Sequence, residues 1–178
     1  MSGWKPGDRR GATASMIRVD QAGEYGATRI YAGQLAVMGD RSKAARAIAG
    51  MARQEERHQA FFDRLIAERG VRPTLLQPFW HVAGFALGAV TAAIGPEAAM
   101  ACTAAVETEI DKHYADQLAG LGDSDPELST AIAEFQAEEL EHRDTALASG
   151  AENAPAYPAL SAAIRLGCRA AIALAKRI

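Results

Sequence analysis

The chain lacks most of what would mark an extracellular, nucleic-acid-binding or β-rich protein. Only two cysteines, Cys102 and Cys168, occur in its 178 residues. Their spacing suits neither a thiolate metal site nor a redox motif, so a reducing compartment is expected. No dense Lys/Arg run is present and the net charge is −3. That excludes a nucleic-acid surface and removes nucleic acid from the expected partners. There is no G-x-G-x-x-G loop, so the residues name no nucleotide electron donor. The opening MSGWKPGDRRGATAS has no apolar core, hence no signal peptide; a cytoplasmic protein is expected, and so short a leader favours a bacterial source over a mitochondrial one. Aromatics make up 6% and hydrophobic residues 49%, with much Ala and no strand-like alternation. An all-α domain follows.

Residues 1–15 read as a flexible N-terminus, and 16–178 as a single domain. Helical spacing predicts helices from about Ser15 to Met38 and from Ser42 to Glu68, the second closed by Gly70 with Pro73 beyond. Further helices are expected from Pro96 to Leu121, Pro126 to Ser149, and over about 159–178. The stretch at about 74–96 is the most apolar of the chain. Gly95-Pro96 breaks it, and Ala and Gly dominate it, with Gly84 and Gly88 four apart. A buried crossover helix, or one lying at a membrane interface, fits better than a true span. In the last helix Arg165, Arg169 and Lys176 share one arc, broadly opposite Leu160, Ala170, Leu174 and Ile178. That fits an interfacial amphipathic helix and docking onto the bundle equally well.

Two Glu-x-x-His pairs call for an explanation. Glu139 and His142 fall in the series Leu128, Ile132, Phe135, Glu139, His142, Ala146, whose steps of three and four keep one helix face. Glu55 and His58 fall likewise among Ile48, Met51, Phe62 and Leu65. A carboxylate on an apolar stripe is costly unless it is paired or bound to a metal. The chain also repeats itself. An offset of 83 lays Glu24 on Glu107 and YAGQLAVMGD on YADQLAGLGD; an offset of 84 lays Glu55 on Glu139 and His58 on His142. The repeat halves span about 16–70 and 97–149. Two helical hairpins joined by a long connection are expected to pack as a four-helix bundle.

Each half thus supplies one lone Glu and one Glu-x-x-His. Glu24, Glu55, His58, Glu107, Glu139 and His142 match the known pattern of carboxylate-bridged two-metal centres in ferritin-like bundles. Four carboxylates and two divalent cations cancel in charge, and mixed oxygen and imidazole donors suit iron or manganese. Asp20, one turn before Glu24, is a candidate to hold a ligand histidine by its second nitrogen, with a surface cap or salt bridge as the alternative. His113 and Tyr114 stand near the site face as candidate catalytic residues, Tyr114 for redox or hydrogen-bonding work and His113 with a plain helix-surface histidine as the alternative. Glu56, Glu109, Glu138 and Glu141 lie off the apolar stripes and read as a solvated face. His81 reads as a satisfied core or interfacial histidine.

RVDQAGEYGATRIYAGQLAV (18–37), ACTAAVETEIDKHYADQL (101–118), EELEHRD (138–144) and APAYPALSAAIRLGCRAAIAL (154–174) resemble the demethoxyubiquinone hydroxylase family, of Coq7 or Cat5 type. The likeness covers nearly the whole chain from Ile17. It implies a ferritin-like four-helix bundle and a monooxygenase of ubiquinone biosynthesis, with two Fe ions held by the six residues above. O2 is then the co-substrate, and the substrate is a polyprenyl methoxy-methyl-benzoquinone or quinol with one unsubstituted ring carbon. The resemblance suggests NADH as a donor, His113 and Tyr114 as site residues, and a lipid-presenting partner. It also implies a peripheral place on the cytoplasmic side of the cell inner membrane, or on the matrix side in a mitochondrion, with the 74–95 segment and the last helix touching lipid. The rival reading is a ferritin-like iron-binding ferroxidase that hydroxylates no ring.

Overall fold

The computed structural model describes residues 9–177, and side chains from Gly11 onward. Its elements are α1 (Arg9–Met38), α2 (Lys43–Arg69), α3 (Gln77–Ile94), α4 (Pro96–Leu121), α5 (Pro126–Ala148), a 3-10 turn at Ala151–Asn153, and α6 (Tyr157–Ala175). The protein is an all-α, ferritin-like bundle.

The helix ends follow from local chemistry. Ser42 opens α2 by accepting the Ala45 N–H at 2.9 Å, and Gly70 closes it at φ 62, a left-handed turn that costs glycine nothing. Asp125 caps α5 in the same way from in front of Pro126, accepting the Leu128 N–H. α1 begins at Arg9, earlier than the sequence suggested. Ala14 and Met16 pack against the cluster around Ile17, and that burial outweighs the poor helix propensity of Gly11. Residues 1–8, the rest of the expected flexible segment, lie outside the described residues, as does Ile178 of the expected apolar arc on α6.

α1 with α2 and α4 with α5 form two helical hairpins, and α3 connects them while lying along α1. The contact between α1 and α3 is backbone-close. A Cβ on Gly88 would stand 1.9 Å from the Ile30 carbonyl oxygen, and one on Gly33 would stand 2.1 Å from that of Phe85. The small residues of the apolar stretch therefore seat it against the bundle. Its other face stays open, with Leu75, Phe79, Val82, Val90 and Ile94 more than half exposed.

Two of the four apolar clusters among the described residues lie along the length of the hairpins. One gathers Tyr31, Ile48, Met51 and Met100; the other gathers Ile17, Phe62, Leu65, Tyr114, Leu128, Ile132 and Phe135. The six carboxylates and imidazoles sit between them. α6 lies against α4, tied by Arg165 and Arg169, which both donate to Oε1 of Glu109 at 2.6 and 3.2 Å. Among the described residues α6 is the one helix long and apolar enough to cross a bilayer.

Candidate metal centre

Four helices deliver the site. Glu24 comes from α1, Glu55 and His58 from α2, Glu107 from α4, and Glu139 and His142 from α5. Each Glu-x-x-His spacing puts its two side chains one above the other on the inward face of a helix. All six residues are between 0% and 2% exposed.

Their donor atoms converge in two groups that could each hold a metal ion: Glu24, Glu55, His58 and Glu139, and Glu55, Glu107, Glu139 and His142. Within each group the donor atoms lie within 4.8 Å of one another. Glu55 and Glu139 belong to both groups. Each lone glutamate keeps company with the histidine of its own repeat half. His58 turns Nδ1 inward, 3.2 Å from Glu139 and 3.4 Å from Glu24. His142 does the same, its Nδ1 3.0 Å from Glu139 and 3.2 Å from Glu55.

The cluster is short of positive charge. Glu24 Oε2, both carboxylate oxygens of Glu55, Glu107 Oε2, Glu139 Oε1 and His58 Nδ1 are buried without a hydrogen-bond partner. Burial drives the Glu55 and Glu107 carboxyls well above the usual range, and the Glu139 charge beside them adds to it. Burial also pushes Glu139 up, but the His142 hydrogen bond and the His58 imidazole 3.2 Å away outweigh it and hold that carboxylate down at about 2. Burial opposes the charged form of His58, and the Glu139 and Glu24 carboxylates 3.2 and 3.4 Å from its Nδ1 outweigh it, raising it to about 10. Orphaned carboxylate oxygens aimed at one another inside a dry core are what divalent cations relieve. The residues fit a pair of such ions.

Around this layer the tyrosines cross between halves. Tyr31 donates to Glu107 Oε1 at 2.7 Å, and Tyr114 donates to Glu24 Oε1. Burial and the adjacent carboxylates raise both phenols well above their ordinary value, so both remain protonated donors.

The outer nitrogens of the two histidines have partners that the sequence did not disclose. His58 Nε2 faces Glu138 Oε2 at 2.8 Å, and His142 Nε2 faces Gln54 Oε1 at 2.9 Å. Asp20 takes neither role. Gln117 donates to its Oδ1 at 2.8 Å and His113 Nε2 stands 3.3 Å away. His113 is thus tied to Asp20 and Gln117, one residue from the buried Tyr114. Of the four glutamates read as solvated, Glu56 and Glu141 are exposed. Glu138 instead backs a site histidine, and Glu109 is 5% exposed under Arg165 and Lys112. The repeat was the one signal that could have found the outer pair, because the offset of 84 lays Gln54 on Glu138. His81 is neither core nor ligand: its Nδ1 lies 2.6 Å from the Tyr25 hydroxyl on the exposed edge between α1 and α3.

An apolar cavity of about 560 Å³ is walled by α1, α3, α4 and α6. Gly23, Ala27, Val106 and Ile110 are among its lining residues, each within three residues of Glu24 or Glu107 along the helices that carry them. Trp80, Leu87, Ile164 and Cys168 line it as well.

A family model described as ubiquinone biosynthesis protein COQ7 matches residues 11–175. A Rhodospirillum rubrum protein named 3-demethoxyubiquinol 3-hydroxylase is 55% identical, over 97% of this chain and 82% of its own length. A human protein named NADPH-dependent 3-demethoxyubiquinone 3-hydroxylase, mitochondrial, is 51% identical over 95% of this chain and 79% of its own. A Saccharomyces cerevisiae protein named 5-demethoxyubiquinone hydroxylase, mitochondrial, is 43% identical over 92% of this chain and 77% of its own.

Proposed function

We propose that this chain, which belongs to the COQ7 family of ubiquinone biosynthesis proteins, hydroxylates the demethoxyubiquinol ring at a di-iron centre built from Glu24, Glu55, His58, Glu107, Glu139 and His142. The observation that carries this reading is a pair of features built on the same helices. Six buried donor side chains with orphaned oxygens come from α1, α2, α4 and α5, and α1 and α4 also wall an apolar cavity large enough for a substituted ring and the start of its tail.

Two iron ions there would supply the activation of O2. The chain's own residues do the rest. Glu55 and Glu139, common to both groups, hold the two positions together. Tyr31 and Tyr114 fix one oxygen each of Glu107 and Glu24, leaving the other oxygen free toward the site. The apolar walls exclude water and admit a ring whose unsubstituted carbon then faces the carboxylate layer. Electrons are proposed to come from a reduced nicotinamide nucleotide, since the human relative's name specifies NADPH where the sequence resemblance suggested NADH.

A polyprenyl substrate resides in lipid, so the protein works at a membrane surface, which for a bacterial chain is the cytoplasmic side of the inner membrane. The open faces of α3 and α6 support this: Phe79, Val82 and Leu166 are 59%, 66% and 62% exposed. The test is anaerobic loading with ferrous iron, then reaction of a short-chain demethoxyubiquinol with O2. Two irons per chain and a hydroxylated ring are expected. Oxygen consumption without ring product would move the assignment to the ferroxidase alternative, and failure to bind stoichiometric iron would sink the di-iron reading. Flotation with liposomes tests the surface; protein left at the bottom of the gradient would remove the membrane from the proposal.

A further inference from the structure

The two halves of the site are near copies, yet directly behind the histidines they differ. His58 Nε2 faces the Glu138 carboxylate at 2.8 Å; His142 Nε2 faces the Gln54 amide oxygen at 2.9 Å. These partners occupy equivalent positions of the repeat, since the offset of 84 that superposes the histidines also lays Gln54 on Glu138. Each bond runs from one half to the other, from α2 to α5 and back. The geometry is the same and only the charge differs.

That difference has a direction. An imidazole that donates its outer N–H to a carboxylate is a stronger electron donor at its other nitrogen than one that donates to a neutral amide. Glu138 is held for this role by Arg57, whose guanidinium reaches its two oxygens at 3.1 and 3.3 Å. Arg57 is 57% exposed, so solvent screens its charge, whereas the imidazole it backs is fully buried. The repeat counterpart of Arg57 is Glu141, which is exposed.

Resting on the two-metal reading above, we infer that Glu138 and Gln54 make the two metal positions unequal: the one completed by Glu24 and His58 binds a divalent cation more tightly, and fills first. Glu138 and Gln54 are positioning residues, since each acts through a histidine and neither belongs to the donor groups. The pairing also fixes which ring nitrogen stays free to ligate, because Nε2–H is committed outward in both halves.

The test is an equilibrium titration of the metal-free, full-length chain with Co(II), followed by its visible absorption. Wild-type protein is expected to show two resolved steps. Glu138→Gln, which keeps shape and removes charge, weakens the tighter step by about 10- to 100-fold and leaves the other in place. Gln54→Glu does the opposite and tightens the weaker step. A gain in affinity is something structural damage does not produce, so this second variant carries the inference even if the first folds poorly. The inference is overturned if Gln54→Glu fails to tighten either step, or if both variants move both steps alike. Uptake of fewer than two ions by the wild-type chain overturns the two-metal reading itself, and is seen before any variant is made.

Discussion

Tyr31, on the first hairpin, donates its phenol to Oε1 of Glu107 on the second, at 2.7 Å, and Tyr114 returns the bond to Glu24. The two tyrosines are counterparts in the repeat, as are the two glutamates. Each half therefore holds the lone carboxylate of the other, and the register between hairpins is set by hydrogen bonds as well as by packing.

Tyr31→Phe removes the donor and leaves a buried carboxylate oxygen without its partner. The variant should lose about 1–3 kcal/mol of stability in the metal-free form, measured by urea denaturation. Tyr114→Phe should lose a similar amount at Glu24. Unchanged midpoints in both variants would show that neither bond contributes.

Membership of the donor groups separates the glutamates. Glu139 is common to both groups while Glu24 belongs to one. Glu139→Ala should bind no iron stoichiometrically and show no hydroxylation, whereas Glu24→Ala should retain one ion per chain. Metal counting by elemental analysis after anaerobic loading decides between these outcomes, and equal retention by the two variants would contradict the grouping.

Gly167 on α6 lines the apolar cavity, and a Cβ built there meets nothing within 4 Å. Gly167→Leu should fold well, since leucine is the better helix former by roughly 0.5–1 kcal/mol. It should also occupy space meant for the substrate tail. Iron content should stay at the wild-type level while kcat/KM for a prenylated quinol falls about tenfold or more. A steady-state assay with that substrate, alongside metal counting, checks it; unchanged kcat/KM would place the substrate elsewhere.

At the far end of the bundle, the Arg69 hydrogen bond to Asp125 overcomes burial and holds that carboxyl below its ordinary value of 3.8. A carboxyl with a lowered folded pKa gives stability that is complete above its unfolded pKa and lost as pH falls through the folded one. The Asp125 contribution should therefore be constant above about pH 4 and fade below it. Asp125→Asn keeps a capping oxygen but not the charge. Its urea midpoint should lie below wild type at pH 6 and converge with it near pH 2. Parallel curves at all pH values would show that the ion pair contributes nothing.

The burial of the inward residues was legible because helical spacing leaves a carboxylate on an apolar stripe nowhere else to go, and the repeat picked out the same set from within the chain. The outward ones were not. Glu138 directly precedes Glu139, so by periodicity it points away from its own helix's core. What captures it is His58 on α2, and one helix's pattern carries no record of its neighbour. Asp20 failed for the same reason in reverse: its spacing brought it near the site, but Gln117 from α4 claims it. Glu109 read as solvated because the helix that covers it comes more than fifty residues later. The crossover read as either a buried helix or one at a membrane interface; the close seat of its glycines on α1 and the extent of its open face depended on which neighbours packed against it and which left it uncovered.

The sharing of Glu55 and Glu139 between both donor groups has one more consequence. Neither hairpin alone carries a complete set of ligands, yet each carries half of one. Two identical hairpins meeting about a twofold axis would assemble the whole centre, as a symmetric dimer does. In this chain α3 acts as the tether that replaces that encounter. It makes the second half available at a fixed effective concentration rather than at whatever the cell supplies. Once joined, the halves no longer need to be identical, and the Gln54 and Glu138 positions are free to diverge.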